Sequence, residues 1–129
     1  MALNKSAEEE KIGSQVLAAA MRVHSALGPG LLESAYEHCL AYELQTAGLN
    51  VERQIVLPIT YAERRIDAGY RIDLLVAKLV VVEVKAIEKI MQIHIAQLVT
   101  YLRLGGFPLG YLLNFNVLHM RQGIKRVVV

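Results

Sequence analysis

Two strongly apolar stretches of this chain carry charged residues inside them. Glu83 and Lys85 stand in the run Leu79-Val-Val-Val-Glu-Val-Lys-Ala, whose β-branched composition is typical of a buried strand. Asp73 has similar surroundings within residues 71–77. A carboxylate or ammonium group that is buried without a partner is costly, so such groups are normally paired or bound to a metal ion. The three charges therefore indicate either a buried ion pair or a site for a divalent metal ion.

Apolar periodicity predicts three helices in the chain. Small or apolar residues at steps of three and four predict the first over about residues 8–27, ended by Gly28-Pro29-Gly30. The second is predicted from about Leu31 to Ala47 and the third from about Met91 to Leu104. Strands are predicted over about residues 51–59, 69–77, 79–86, 109–115 and 124–129. Pro58 indicates that the first strand lies at a sheet edge.

This order, ααβββαββ, favours an α/β fold. The strand around Val80 is apolar at successive positions, so it needs cover on both of its faces. Helices on both sides of a central mixed β-sheet meet that need. At 129 residues the chain is long enough for one core, so we predict a single domain over residues 1–129.

The strand register decides whether the three charges meet. Glu83 and Lys85 are two residues apart and therefore share one face of their strand. Asp73 joins that face only if it lies opposite Glu83, which places Lys78 at the apex of the intervening turn. A slip of one residue would send Asp73 to the other face. We therefore expect an odd-length turn or a bulge around residues 77–79.

Hydrolysis of a phosphodiester bond suits this set of residues. The reaction needs charge neutralisation at the phosphoryl oxygens and an activated water molecule. Mg²⁺ prefers oxygen ligands and usually takes one or two carboxylates, which Asp73 and Glu83 can supply together with the carbonyl oxygen of Val84. Lys85 can orient or deprotonate the attacking water, or stabilise the charge of the transition state. A structural Glu–Lys or Asp–Lys ion pair is the alternative interpretation.

Two helices carry further candidates. Glu33 and Tyr36 are three residues apart at the start of the second helix, and Glu33 can add a third carboxylate to the metal site. His94, Gln97 and Tyr101 share a face of the third helix, where Gln97 can hydrogen-bond a metal-bound water, Lys85 or a phosphate. The alternatives are a first-turn glutamate favoured by the helix dipole and polar decoration of a half-buried helix.

These residues together resemble a known family. Residues 30–36 match the pattern Gly-x-x-Glu-x-x-Tyr, and Asp73, Glu83-Val84-Lys85 and residues 93–102 follow in the expected order. The chain resembles the GxxExxY family, which is grouped with the PD-(D/E)XK nuclease superfamily of restriction-endonuclease-like fold. The resemblance covers nearly the whole chain. Ile72 stands where the superfamily name has proline, a departure that removes no chemical group.

The resemblance implies a site and an activity. By resemblance, Asp73 and Glu83 are metal ligands, Lys85 is the catalytic lysine, and Glu33 and Gln97 are accessory residues of the site. The implied function is an Mg²⁺-dependent nuclease, with Mn²⁺ as a substitute ion, that hydrolyses DNA or, less favoured, RNA. Alternatives are a catalytically idle nucleic-acid-binding domain on the same fold and a protein-interaction module. The residues assigned to substrate binding are Tyr36, Arg71, His94 and Tyr101.

Charge and cysteine content indicate which partners and which cell compartment are expected for the protein. A net charge of +2 permits an anionic partner without requiring one, so a homodimer or a partner protein would help the chain to grip DNA. Phosphate contacts are expected from Arg64, Arg65, Arg71, Lys89 and Arg103. With Cys39 as its single cysteine the chain can form no internal disulfide, which favours the cytoplasm. The polar, acidic segment 1–11 argues against a signal peptide, and no apolar run is long enough for a membrane helix.

The four histidines lack metal-ligand spacing, so no zinc site is expected. The apolar tail, residues 127–129, can form either a core strand or a dimer strand.

Overall fold

The computed structural model describes residues 5–129, with side chains from Ala7 onward, and this part of the chain contains three α-helices, seven strands and a short 3-10 helix (Met120–Gly123). The first four residues of the polar N-terminal segment lie outside this range. The helices are α1 (Lys5–Leu27), α2 (Glu33–Thr46) and α3 (Gln92–Gly105). The strands are β1 (Val51–Val56), β2 (Ile59–Tyr61), β3 (Arg64–Ile66), β4 (Arg71–Val76), β5 (Val80–Lys85), β6 (Leu109–Asn114) and β7 (Ile124–Val128).

Five of these strands form the central sheet, in the order β1-β4-β5-β6-β7. The β5–β6 pair is parallel, because α3 carries the chain back between them, and the other three pairs are antiparallel. The predicted mixed sheet with flanking helices is thus confirmed. Strand β1 lies at one edge, as Pro58 indicated, and β7 lies at the other. No helix within residues 5–129 combines the length and apolarity needed to cross a membrane.

The core has two halves, one on each face of the sheet. Helices α1 and α2 cover one face, where Leu40 packs with Val82 and Leu113. Helix α3 covers the other face, where Leu98 packs with Val81. Strand β5 is therefore buried on both sides, which is why its sequence is apolar at successive positions. Val127 of β7 is also buried, so the tail forms a strand of the core.

The turn between β4 and β5 has the predicted odd length. The pairs Leu74–Val82, Leu75–Val81 and Val76–Val80 leave three residues, 77–79, in the turn and place Lys78 at its apex. Ala77 and Lys78 adopt left-handed backbone angles, with φ of 53° and 57°. Continued by one step, this register places Asp73 opposite Glu83.

Two predicted elements differ from the structure. Helix α2 begins at Glu33, two residues later than predicted, because Leu32 is extended and the Leu31 N–H donates to the Tyr36 hydroxyl at 3.1 Å. The predicted strand over residues 51–59 is wrong beyond Val56. The chain leaves the sheet before Pro58 and forms a separate hairpin, β2–β3, that was not predicted.

Candidate active site

Asp73 and Glu83 lie side by side where the β4–β5 backbone pairing ends. The Asp73 N–H donates to Glu83 Oε2 at 2.9 Å, and the Val84 N–H donates to Asp73 Oδ2, also at 2.9 Å. Each carboxylate thus takes a backbone donor from the opposite strand. The structure brings the two acids together at the end of the sheet where β5 ends, as the register argument expected.

Burial dominates the electrostatics of this acid pair. It raises the pKa of Glu83 to about 8, and the negative charge of Asp73 adds to the effect. Burial also raises the pKa of Asp73, against the lowering effect of the hydrogen bond from Val84. The Lys85 ammonium lowers both pKa values, yet within residues 5–129 it makes no ion pair with either acid. In the metal-free protein the pair therefore retains a proton near neutral pH.

Lys85 is held at a well-anchored point of the backbone. It is the last residue of β5, is partly buried, and its carbonyl oxygen accepts the Phe115 N–H at 2.9 Å. The next segment is fixed by the buried amide of Asn114, which accepts the Ile87 N–H at 3.1 Å and donates to the Ile87 carbonyl oxygen at 2.9 Å. Sequence reasoning gave Asn114 no such role, although a polar residue that ends an apolar strand was the available signal.

Glu33 approaches the acid pair from α2. It stands in the first turn of that helix, and its Oε1 accepts the Ala86 N–H at 3.2 Å, just beyond Lys85. Glu33 and Asp73 line the same open cleft of about 740 Å³. The remaining lining residues are Leu31, Leu32, Ser34, Glu37, Gln54 and Ala86. The structure thus places the predicted accessory glutamate in the cleft, while its role as a metal ligand stays a prediction.

Sequence reasoning missed Glu37, Arg53 and Gln54. Glu37 is buried, and its Oε2 accepts two bonds from the Arg53 guanidinium, at 2.7 and 3.2 Å. The Gln54 amide nitrogen donates to Glu37 Oε1 at 2.8 Å and to Asp73 Oδ1 at 3.3 Å. The charge of Glu37 contributes to the raised pKa of Asp73 and of Glu83. Its position four residues after Glu33, on the same helix face, was the one signal in the sequence.

Helix α3 places Gln97 beside Tyr101, and both line a pocket separate from the cleft that contains Asp73. The Gln97 amide donates to the Tyr101 hydroxyl at 3.0 Å. Burial and the nearby charge of Glu83 raise the pKa of Tyr101. His94, on the same helix, is occupied differently, since its Nδ1 accepts the Met91 N–H at 2.8 Å at the helix start. The structure therefore shows His94 capping the helix rather than joining Gln97.

Tyr36 and Arg71 occupy contrasting positions. The Tyr36 side chain is fully buried, stacks on Phe115 at 4.6 Å between ring centroids, and donates to the Gly28 carbonyl oxygen at 2.5 Å. Because the Tyr36 ring has no exposed surface, it cannot contact a substrate, and the expectation that Tyr36 binds substrate is corrected. Its hydrogen bond to Gly28 instead fixes the turn before α2. Arg71 is exposed, and its guanidinium donates to the Gln54 carbonyl oxygen at 3.5 Å.

The donor set of the site fits a hard divalent cation. Asp73, Glu83 and the Val84 carbonyl supply oxygen atoms only, which Mg²⁺ and Mn²⁺ prefer. Within residues 5–129 no group of three or more His, Cys, Asp or Glu residues has a metal-holding arrangement. A metal ion here would therefore rest on the Asp73 and Glu83 carboxylates, the Val84 carbonyl oxygen and water, and one or two carboxylates with several waters is the usual situation of Mg²⁺ in proteins.

Comparison with known proteins identifies the family. A model of the PD-(D/E)XK nuclease superfamily matches residues 10–127, which is most of the chain. The chain therefore belongs to the PD-(D/E)XK nuclease superfamily, and its sheet and helices are consistent with the restriction-endonuclease-like fold. The narrower GxxExxY family stays a resemblance. No curated protein and no solved structure matched the chain.

Proposed function

We propose that this member of the PD-(D/E)XK nuclease superfamily is an Mg²⁺-dependent nuclease that hydrolyses phosphodiester bonds of DNA, with RNA the less favoured substrate. One observation carries the proposal. Asp73 and Glu83 are brought together in a partly buried place where both pKa values are raised and no described cation pairs with them. Such an arrangement is costly for stability alone and favourable for holding a metal ion.

The ion-pair interpretation is disfavoured by the same contacts. An ion-pair network would join Lys85 to Asp73 or Glu83, whereas the two carboxylates bond to backbone N–H groups and to Gln54. Lys85 remains close enough to lower their pKa values while its ammonium stays available for another partner. This availability supports a catalytic role for the lysine.

Each residue has a distinct role in the proposed reaction. When bound by Asp73, Glu83 and the Val84 carbonyl oxygen, the metal ion supplies charge neutralisation and makes water more acidic. Lys85 orients the attacking water, accepts its proton, or stabilises the charge that develops on the phosphate. Gln97 donates hydrogen bonds to a phosphate oxygen from the α3 side of the site.

Charge and thiol chemistry support the proposed substrate and setting. Arg64 and Arg65 on the β2–β3 hairpin, together with Arg71 and Arg103, are exposed and make no ion pair among the described residues. They can bind the phosphate backbone, and a second copy or a partner protein would extend that surface. The free cysteine, Cys39, suits a reducing cytoplasm.

Cleavage of a substrate panel tests the proposal. Single-stranded, duplex and branched DNA and RNA are incubated with the protein and either Mg²⁺ or Mn²⁺. We expect cleavage of at least one DNA substrate that EDTA abolishes, and no cleavage by Asp73→Ala or Glu83→Ala. Binding of nucleic acid without cleavage would favour the idle-domain alternative, and equal cleavage by the parent and both variants would identify a contaminant.

Metal binding gives an independent readout. Because the ion binds only the folded state, millimolar Mg²⁺ or Mn²⁺ should raise the melting temperature. Mn²⁺ should act more strongly, following the general affinity order of divalent ions. The Asp73→Ala variant should show no increase, and an increase equal to that of the parent would place the ion elsewhere.

A further inference from the structure

We propose that Gln54 is a positioning residue, whose side-chain amide joins Glu37 to Asp73 and sets the Asp73 carboxylate for metal binding. The inference rests on the proposed function, because it assigns a role to a neighbour of the proposed metal ligand. It is carried by the contacts of one side chain and by an unusual backbone conformation at the same residue.

The contacts place one donor group between two acids. The Gln54 amide nitrogen donates to Glu37 Oε1 at 2.8 Å and to Asp73 Oδ1 at 3.3 Å. An amide NH₂ group has two hydrogens, so it can serve both carboxylates at once. Without it, two negative charges would face each other across a partly desolvated gap.

Glu37 is a firm anchor for this bridge. Its Oε2 is occupied by the Arg53 guanidinium, which also contacts His38 Nδ1 at 3.0 Å. The remaining oxygen, Oε1, is the one that accepts from Gln54. Since Glu37 is buried and its charge is balanced by Arg53, its position is fixed and it can fix Gln54 in turn.

The backbone of Gln54 is left-handed, with a φ of 53°, in the middle of strand β1. A residue other than glycine rarely adopts this conformation, which persists where the surroundings impose it and is common at functional sites. The cross-strand pairs on either side, Arg53–Leu74 and Ile55–Ile72, place Gln54 opposite Asp73. Gln54, with its left-handed backbone, and Asp73, the proposed metal ligand, therefore form one cross-strand pair of the sheet.

At the Gln54–Asp73 pair, β1 and β4 both switch the side of the strand that faces α1 and α2 and the side that faces α3. Val51 packs in the core under α1 and α2, whereas Ile55 packs in the core under α3, although residues four apart in a regular strand share a face. In β4, Leu74 and Ile72 are divided between the same two cores. This switch of faces occurs at Gln54 and Asp73. The left-handed backbone of Gln54 is therefore part of the geometry that brings Asp73 into the cleft.

With the Gln54 amide in place, both oxygen atoms of the Asp73 carboxylate accept a hydrogen bond. The Val84 N–H fixes Oδ2 at 2.9 Å, and the Gln54 amide restrains Oδ1. A carboxylate oxygen has more than one acceptor site, so both atoms remain able to bind a cation. Groups that orient metal ligands in this way typically contribute about 10- to 100-fold to metal affinity.

Glycine at position 54 tests the bridge. Gln54→Gly removes the amide and relieves the left-handed backbone, so stability should stay near that of the parent while metal affinity falls. The matched control is Ala62→Gly, which relieves another left-handed residue, φ 50°, in the β2–β3 turn, away from the acids. Calorimetry with Mn²⁺ should show about 10- to 100-fold weaker binding for Gln54→Gly and unchanged binding for Ala62→Gly.

Glu37→Ala, alone and combined with Gln54→Gly, distinguishes positioning from direct ligation. If Glu37 acts through Gln54, the double variant should bind Mn²⁺ about as well as Gln54→Gly alone. Losses that add would show that Glu37 reaches the metal ion independently, and would overturn the bridge. Equal binding by the parent and Gln54→Gly would overturn this inference alone, whereas a parent that binds no metal would overturn the proposed function with it.

Discussion

Substituting Glu83 by glutamine tests whether burial governs the acids of the site. The glutamine has the same shape and can still accept the Asp73 N–H, but it cannot ionise. Comparing Glu83→Gln with the parent therefore reports the free energy of placing the negative charge of Glu83 beside Asp73 in the folded protein.

The expected magnitude follows from the pKa of Glu83, which burial and the charge of Asp73 raise from 4.5 to about 8. An acid with a raised pKa holds its proton more tightly in the folded state, so its stabilising contribution is present at low pH and is lost as the pH rises through the folded pKa. At 1.36 kcal/mol per pKa unit, the free energy of unfolding of the parent should fall by on the order of 4 kcal/mol relative to Glu83→Gln between about pH 5 and pH 9.

Urea denaturation in EDTA at the two pH values measures this difference. Groups whose titration is the same in both proteins cancel in the comparison, and equal m-values would confirm that the two unfolding transitions are comparable. A difference that changes by less than about 1 kcal/mol would contradict the burial of an unpaired carboxylate. A change of opposite sign would mean that a cation, Lys85 above all, already compensates Glu83, as in the ion-pair interpretation.

Two substitutions away from the acids, Tyr36→Phe and Gly123→Ala, test contacts that stabilise the fold around the site. Tyr36→Phe leaves the Gly28 carbonyl and an N–H of the turn before α2 without their partner, so urea denaturation should show a loss of about 1–3 kcal/mol. In contrast, Tyr61→Phe on the exposed hairpin should change stability by less than about 0.5 kcal/mol. Gly123→Ala would press a methyl group into the backbone carbonyl of Asn114, and a loss of at least about 1 kcal/mol should appear in the same assay. A parent-like midpoint for Tyr36→Phe or Gly123→Ala would contradict the described contacts.

The meeting of Asp73 and Glu83 could be predicted because it depends on two simple periodicities. Side chains alternate along a strand, and a hairpin pairs residues at equal distances from its apex. With Lys78 at the apex, the two acids must face each other, and the structure has this register. Residue spacing therefore located the central acid pair without any knowledge of the tertiary fold.

The network behind Asp73 could not be predicted in the same way, because Gln54 breaks the alternation on which such arguments depend. Its left-handed backbone inverts the faces of β1, and nothing in the local sequence marks a glutamine for that conformation. The missed hairpin has a similar cause. Ala62 and Glu63, with φ of 50° and 65°, form its turn in place of the asparagine and glycine that usually announce one.

Helix spacing did not distinguish a residue that lines the cleft from one that is buried beneath it. Tyr36 lies three residues after Glu33, so both belong to neighbouring positions on α2, but only Glu33 lines the cleft. Spacing predicts a shared side of a helix and leaves open how far each residue is covered by the sheet. The depth of Tyr36 is set by its stacking on Phe115, a contact between residues far apart in the chain.

The most direct test of the central claim compares Lys85→Ala with Glu83→Ala for metal affinity and for cleavage. Lys78→Ala, at the opposite end of β5, serves as the matched control. Both Lys85→Ala and Glu83→Ala should abolish metal-dependent cleavage, while Lys85→Ala keeps Mn²⁺ binding close to that of the parent and Glu83→Ala loses it. Lys78→Ala should resemble the parent in both assays. Parent-like cleavage by Lys85→Ala and Glu83→Ala would contradict the claim that these residues form the active site of a nuclease.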